Sequence, residues 1–105
     1  MKKFLDDDIY LNNETGKRLY HAYAKDLPII DYHCHLNPMD IAEDKVFTSL
    51  SELWLSDDHY KWRLLRADGA EEALITGDGS DRDKMHAFAK ALEKAVGNPI
   101  YQWCN

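Results

Sequence analysis

The stretch PIIDYHCHLNP, residues 28–38, combines β-branched and aromatic residues without a helical period. This composition favours a strand, and we predict one short strand around residues 29–35. Asn37 and Pro38 suit the N-cap and first position of a following helix. Because residues i and i+2 of a strand point to the same side, His33 and His35 should converge and Cys34 should point away.

Two imidazoles on one rigid element are half of a site for a divalent metal such as zinc. Asp31 is in phase with His33 and His35 and could support such a site as a hydrogen-bond acceptor. The alternative is a pair of ordinary histidines at a junction between a strand and a loop, and spacing alone leaves both interpretations open. For Cys34 we expect a packed thiol rather than a nucleophile.

The rest of the chain predicts helices. Capping residues precede four of them: Asn13, Asn37, Ser49 and Ser80. A fifth helix should contain DHYKWRLLRA, residues 58–67, capped by Ser56 or Asp57. The helix that follows Ser80 is the clearest, because apolar residues recur every three or four positions from Met85 to Val96. A single strand cannot satisfy its own backbone groups, so we expect the chain to be a piece of a larger fold.

The segment DDHYKWR, residues 57–63, is the second dense cluster of polar side chains. At a helix start it could present a proton donor and hydrogen-bonding groups to a polar, anionic substrate. The alternative is a capped amphipathic helix whose charges lie in water.

Composition excludes several classes of protein. With 105 residues, 45% hydrophobic and 30% charged, one soluble globular domain is expected. A net charge of −6 argues against a nucleic-acid partner. No apolar stretch approaches the ~20 residues of a membrane span, and no secretory signal is present. Cys34 and Cys104 make no disulfide framework, so we predict a cytoplasmic protein.

Four blocks together closely resemble the N-terminal region of the uronate isomerases (glucuronate isomerases). They are FLDDDIYLNNETGKRLYHAYAKDLPIIDYHCHLNP, WLSDDHYKWRLLRADG, ITGDGSD and GNPIYQW, in this order. The resemblance covers about residues 4–103. The two histidines alone are typical only of the broader amidohydrolase-like superfamily, and the DHYKWR and GNPIYQW blocks narrow the resemblance to the uronate isomerases.

This resemblance implies the N-terminal fragment of a distorted (β/α)8 barrel, predominantly α-helical on its own. Residues 1–105 would be one incomplete domain, with the lead-in, first helix and first barrel strand in 1–36 and an inserted helical portion in 37–105. The activity implied is the first step of hexuronate breakdown, which interconverts D-glucuronate with D-fructuronate and D-galacturonate with D-tagaturonate.

The resemblance also implies roles for individual residues. His33 and His35 match metal ligands for a divalent ion, with zinc as our choice. His59 and Tyr60 match residues that bind substrate, and Tyr60 is the better candidate for catalytic proton transfer. No role is carried over to Arg63.

A complete barrel needs ~250 residues, so we expect this chain alone to be inactive, and we expect self-association along an unpaired strand edge. Two alternatives stay open. One is a non-catalytic helical binding or interaction module. The other is a small independent metal-binding protein that uses His33 and His35 with Cys34 or Cys104.

Overall fold

The computed structural model describes residues 6–104, and the regular secondary structure in this range is entirely helical. Helix α1 continues directly into a π-helical turn, and a 3₁₀ turn separates α4 from α5. The elements are α1 Glu14–Leu19, the π turn Tyr20–Ala24, α2 Pro38–Ala42, α3 Leu50–Leu55, α4 His59–Ala67, the 3₁₀ turn Glu72–Leu74, α5 Asp81–Glu93 and α6 Pro99–Cys104. No helix in this described range is long and apolar enough to cross a membrane. The predominantly helical structure predicted from the sequence is confirmed.

The predicted strand around residues 29–35 is not formed, because no residue between 6 and 104 pairs with it. Ile29, Ile30 and Tyr32 are 92%, 84% and 95% exposed, which is unusual for such apolar side chains. Strand structure depends on hydrogen bonds to another segment of backbone, and local sequence cannot supply that partner. The (β/α)8 barrel and the division at residue 36 therefore stay predictions.

The chain divides into two compact units, Met1–His33 and Cys34–Asn105. In the first unit, the Asn13 side chain caps α1 by accepting the Gly16 N–H at 2.7 Å. His21 Nε2 lies 2.7 Å from a carboxylate oxygen of Asp8 and joins the π turn to the preceding segment. Exposed polar contacts of this kind contribute little individually.

The second unit contains the hydrophobic core, which forms where α5 packs against α3 and α4. Its buried apolar residues are Leu55, Leu64, Leu65, Ile75, Phe88, Ala91 and Ala95. Full burial of a leucine or phenylalanine side chain contributes about 1.5–3 kcal/mol. The apolar stripe predicted for α5 is correct at Phe88 but fails at Val96, which is 74% exposed because the helix has already ended at Glu93.

Local capping explains where most helices begin. The structure confirms four predicted N-caps: Asn13, Asn37, Ser49 and Ser80. The prediction for α4 is wrong, because Asp58 rather than Ser56 or Asp57 is its N-cap. With Asp58 as the cap, His59 is the first residue of α4, and His59 and Tyr60 lie on its first turn.

Candidate functional site

The first turn of α4 is organised by the Asp58 carboxylate. Its side chain is 10% exposed. One oxygen, Oδ1, accepts the backbone N–H groups of Tyr60 at 3.0 Å and Lys61 at 3.3 Å. The Tyr60 N–H belongs to the first turn, where a helix offers no backbone acceptor, so the side chain satisfies this donor. The Lys61 N–H also donates to the Asp58 carbonyl oxygen at 3.1 Å. The contact fixes the backbone at His59 and Tyr60.

The second carboxylate oxygen of Asp58 binds two cationic or donor groups. Oδ2 lies 2.8 Å from Lys61 Nζ and 3.1 Å from His35 Nδ1. Burial by itself would raise the pKa of Asp58, but hydrogen bonds from Lys61 and His35 outweigh it and hold that pKa below its ordinary value. Asp58 is therefore an anion at neutral pH.

Three aromatic rings gather beside this carboxylate. The His35 and Tyr60 ring centroids are 5.2 Å apart with planes 14° from parallel, and the His59 and Tyr60 centroids are 4.5 Å apart at 29°. His35 and His59 are 6.1 Å apart at 18°. Arg63 Cζ lies 5.4 Å from the Tyr60 centroid, within the range of a cation–π contact. We call His35, His59 and Tyr60 the ring cluster.

A small open pocket of roughly 240 Å³ lies next to the ring cluster. Lys61 is one of its lining residues, with its ammonium 4.6 Å from the Trp54 ring centroid and a side chain that is only 15% exposed. The lining combines imidazole, carboxylate and ammonium groups with apolar walls: His35, Leu36, Leu53, Trp54, Asp58 and Lys61. Such a surface offers several hydrogen-bonding groups to a small polar molecule.

The sequence predictions assigned individual roles to three members of this arrangement and not to three others. His35, His59 and Tyr60 come together although 24 positions separate His35 from His59. Asp58 and Lys61 were predicted only as members of the polar segment 57–63, without individual roles, and Trp54 was given no functional role. The spacing of Asp58 and Lys61, three residues apart at a helix start, is the signal that could have indicated their ion pair.

His33 and Asp31 lie in the first unit. Asp31 Oδ1 accepts the backbone N–H of His33 at 3.2 Å, which is a contact with the backbone rather than with the imidazole. Within residues 6–104, no three His, Cys, Asp or Glu side chains form a group that could hold a metal ion. The metal-ligand roles of His33 and His35 therefore stay predictions.

Both cysteines are free. Cys34 is exposed, so the prediction of a packed thiol is wrong. It lies in a segment without regular structure that does not enter the core, and its Sγ is 3.8 Å from the Leu36 carbonyl oxygen. Cys104 packs at the edge of the core, and burial raises the pKa of its thiol.

Comparison with known proteins gives a consistent result. A family model described as glucuronate isomerase matches residues 1–105. The chain belongs to the glucuronate isomerase family. It is 57% identical over 103 residues to a uronate isomerase of Caldicellulosiruptor bescii and 60% identical over 101 residues to that of Lactococcus lactis subsp. cremoris. A uronate isomerase of Oceanobacillus iheyensis is 55% identical over 103 residues.

These matches cover 96–98% of this chain but only 21–22% of each relative. The chain thus spans about a fifth of the length of the curated uronate isomerases that it matches. Family membership agrees with the resemblance carried by the four sequence blocks. The residues matched by the family model include the ring cluster, His35, His59 and Tyr60.

Proposed function

We propose that this chain supplies part of the active site of a uronate isomerase, which interconverts D-glucuronate with D-fructuronate and D-galacturonate with D-tagaturonate. The observation that carries the proposal is the ring cluster. Residues assigned to the site from two separate stretches of sequence lie within 4.5–6.1 Å of one another, measured between ring centroids. Family membership and the names of the relatives support the same activity.

Tyr60 is the residue that we assign to proton transfer. Isomerisation of an aldose to a ketose moves a proton between neighbouring carbons, and a positioned phenol can donate or accept it. Tyr60 is 46% exposed, so a substrate can reach it, and its position on the first turn of α4 is fixed by Asp58. His59 is exposed beside it and is assigned to hydrogen bonding with the sugar.

His33 and His35 are the residues that we assign to a divalent metal, zinc in this proposal. Neutral imidazole is a common zinc ligand, and a ligating histidine usually donates its other ring N–H to a carboxylate. The contact between His35 Nδ1 and Asp58 fits this arrangement, with Nε2 as the ligating atom. When bound, the ion would polarise or orient the substrate oxygens. Two histidines are fewer than the three protein ligands of a usual catalytic zinc site.

The remaining parts of the proposal concern the binding partner and the cellular location. The partner is a small hexuronate. A cytoplasmic location agrees with two free cysteines, which fit a reducing compartment. The independent metal-binding alternative gains no support within residues 6–104, where no group of three ligands is found.

A chimera tests this proposal. Residues 1–105 would replace the matching segment of the Lactococcus lactis relative, which is 60% identical, and the isomerisation of D-glucuronate would be assayed. We expect the chimera to be active. We expect His35→Ala to reduce both the activity and the zinc affinity by more than the ~10–100-fold typical of substitutions at residues that hydrogen-bond to metal ligands. The control His86→Ala, an exposed histidine of α5, should change neither.

Two results would contradict the proposal: an inactive chimera of native sequence, or a His35→Ala chimera as active and as zinc-loaded as its parent. An inactive but folded chimera would favour the alternative of a helical binding module.

A further inference from the structure

We propose that Asp58 is a positioning residue that sets the ring tautomer of His35 and, through its other oxygen, the start of the helix that carries Tyr60. The catalytic consequence rests on the proposed function. The tautomer does not, and it can be tested without substrate or metal.

The two oxygens of Asp58 have separate partners. Oδ1 accepts backbone N–H groups of the first turn of α4, from Tyr60 and Lys61. Oδ2 faces His35 Nδ1 at 3.1 Å and Lys61 Nζ at 2.8 Å. One side chain thus joins the segment around His35 to the helix that begins at His59, and both belong to the same compact unit.

An ionised carboxylate can only accept hydrogen bonds, and a lysine ammonium can only donate them. The atom of His35 that faces Asp58 must therefore carry a proton, which in the neutral ring makes it the Nδ1–H tautomer. Nε2 then carries the lone pair that a metal needs. Lys61 Nζ contacts the same oxygen, but an ammonium only donates, so it cannot be the acceptor of the ring N–H.

Helix capping alone does not require an aspartate at this position. Asparagine caps a helix about as well, because one side-chain oxygen is enough. Asp58→Asn keeps an acceptor for the backbone N–H groups of Tyr60 and Lys61 and replaces the second oxygen with an NH₂ donor. His35 Nδ1 would then face a donor and should become the acceptor, with the proton moved to Nε2.

The experiment uses the 105-residue chain labelled with ¹⁵N-histidine. Long-range ¹H–¹⁵N correlation spectra distinguish protonated from unprotonated ring nitrogens at a pH above the titration range of ordinary imidazoles. We expect His35 to be the Nδ1–H tautomer in the native chain and the Nε2–H tautomer in Asp58→Asn. The control Asp57→Asn removes the same charge from the exposed neighbouring position and should leave the His35 tautomer unchanged.

A native His35 in the Nε2–H form would overturn the inference, whether or not the variant folds. The same tautomer in native chain and Asp58→Asn would also overturn it. Far-UV circular dichroism of the variant should retain the native helical signal because the cap is preserved.

The chimera provides the catalytic arm. Asp58→Asn should lower kcat by ~10–100-fold with a smaller change in KM, as expected for a group that orients a metal ligand, and Asp57→Asn should match the parent. A fully active Asp58→Asn chimera would refute the positioning role. A chimera of native sequence without activity would instead refute the proposed function, and the tautomer spectra would still decide the role of Asp58.

Discussion

Replacing Leu65 by alanine should remove a large share of the stability of the second compact unit. Leu65 is completely buried, the most enclosed large side chain of the core. Truncation of buried leucines costs about 2.7–5.0 kcal/mol, according to how far the surroundings collapse into the cavity. A unit of about 70 residues has roughly 4–11 kcal/mol of total stability at ~0.05–0.15 kcal/mol per residue. The substitution should therefore remove at least a quarter of that free energy of unfolding.

Urea unfolding followed by tryptophan fluorescence measures this loss, because all three tryptophans lie in the second unit: Trp54, Trp62 and Trp103. Trp54 and Trp62 pack against the core, so their emission should change on unfolding. The matched control is Leu50→Ala, since Leu50 is 58% exposed and surface substitutions usually change stability by no more than ~0.5 kcal/mol. Equal losses for Leu65→Ala and Leu50→Ala would refute the assignment of the core.

Three further predictions concern local structure. Ser80→Ala removes the side chain that caps α5 and should destabilise the chain by ~1 kcal/mol in urea unfolding, and Ser80→Asp should restore most of the loss. Gly69→Ala should cost about 1–2 kcal/mol, because φ is +82° there while the added Cβ would meet no atom within 4 Å; an unchanged unfolding midpoint would show that the left-handed backbone is not required. Hydrogen bonds from the backbone N–H and hydroxyl of Thr48 lower the pKa of Glu52, so this carboxylate stabilises the fold above its unfolded pKa. The stability difference between the native chain and Glu52→Gln should shrink as the pH falls through the folded pKa, which lies below the ordinary glutamate pKa, and a difference independent of pH would contradict this linkage.

Helix positions were predictable because their determinants are local. An asparagine followed by proline, or a serine three residues before an acidic side chain, specifies a helix start from a few consecutive residues. The cap of α4 was harder, since Ser56, Asp57 and Asp58 are all good capping residues. Packing decides among them, because only Asp58 also contacts His35 and Lys61.

The strand prediction was wrong for a different reason. Residues 29–35 have the composition of a strand, but a strand forms only where other backbone groups pair with it. No such partner lies within residues 6–104, and the exposed Ile29, Ile30 and Tyr32 show how little of this segment is covered.

In the candidate site, too, individual residues were predictable from local sequence, whereas the contacts that packing creates were not. Sequence blocks identified His35, His59 and Tyr60, because the family resemblance attaches roles to individual positions. They did not predict that Asp58 joins the two stretches or that Lys61 lies over the Trp54 ring, since both contacts arise from packing. The roles of His33 and His35 as metal ligands, and of His59 and Tyr60 at the substrate, stay predictions.

The turnover of D-glucuronate by the Tyr60→Phe chimera tests the central claim most directly. Phenylalanine keeps the ring beside His35 and His59 and removes only the hydroxyl, so a change in kcat reports proton transfer rather than packing. General acid–base catalysis contributes ~10²–10⁴-fold, and we predict a loss of kcat in that range, with Tyr23→Phe on the exposed π turn unaffected. A Tyr60→Phe chimera with the kcat of its parent would contradict the claim that the ring cluster takes part in the isomerisation.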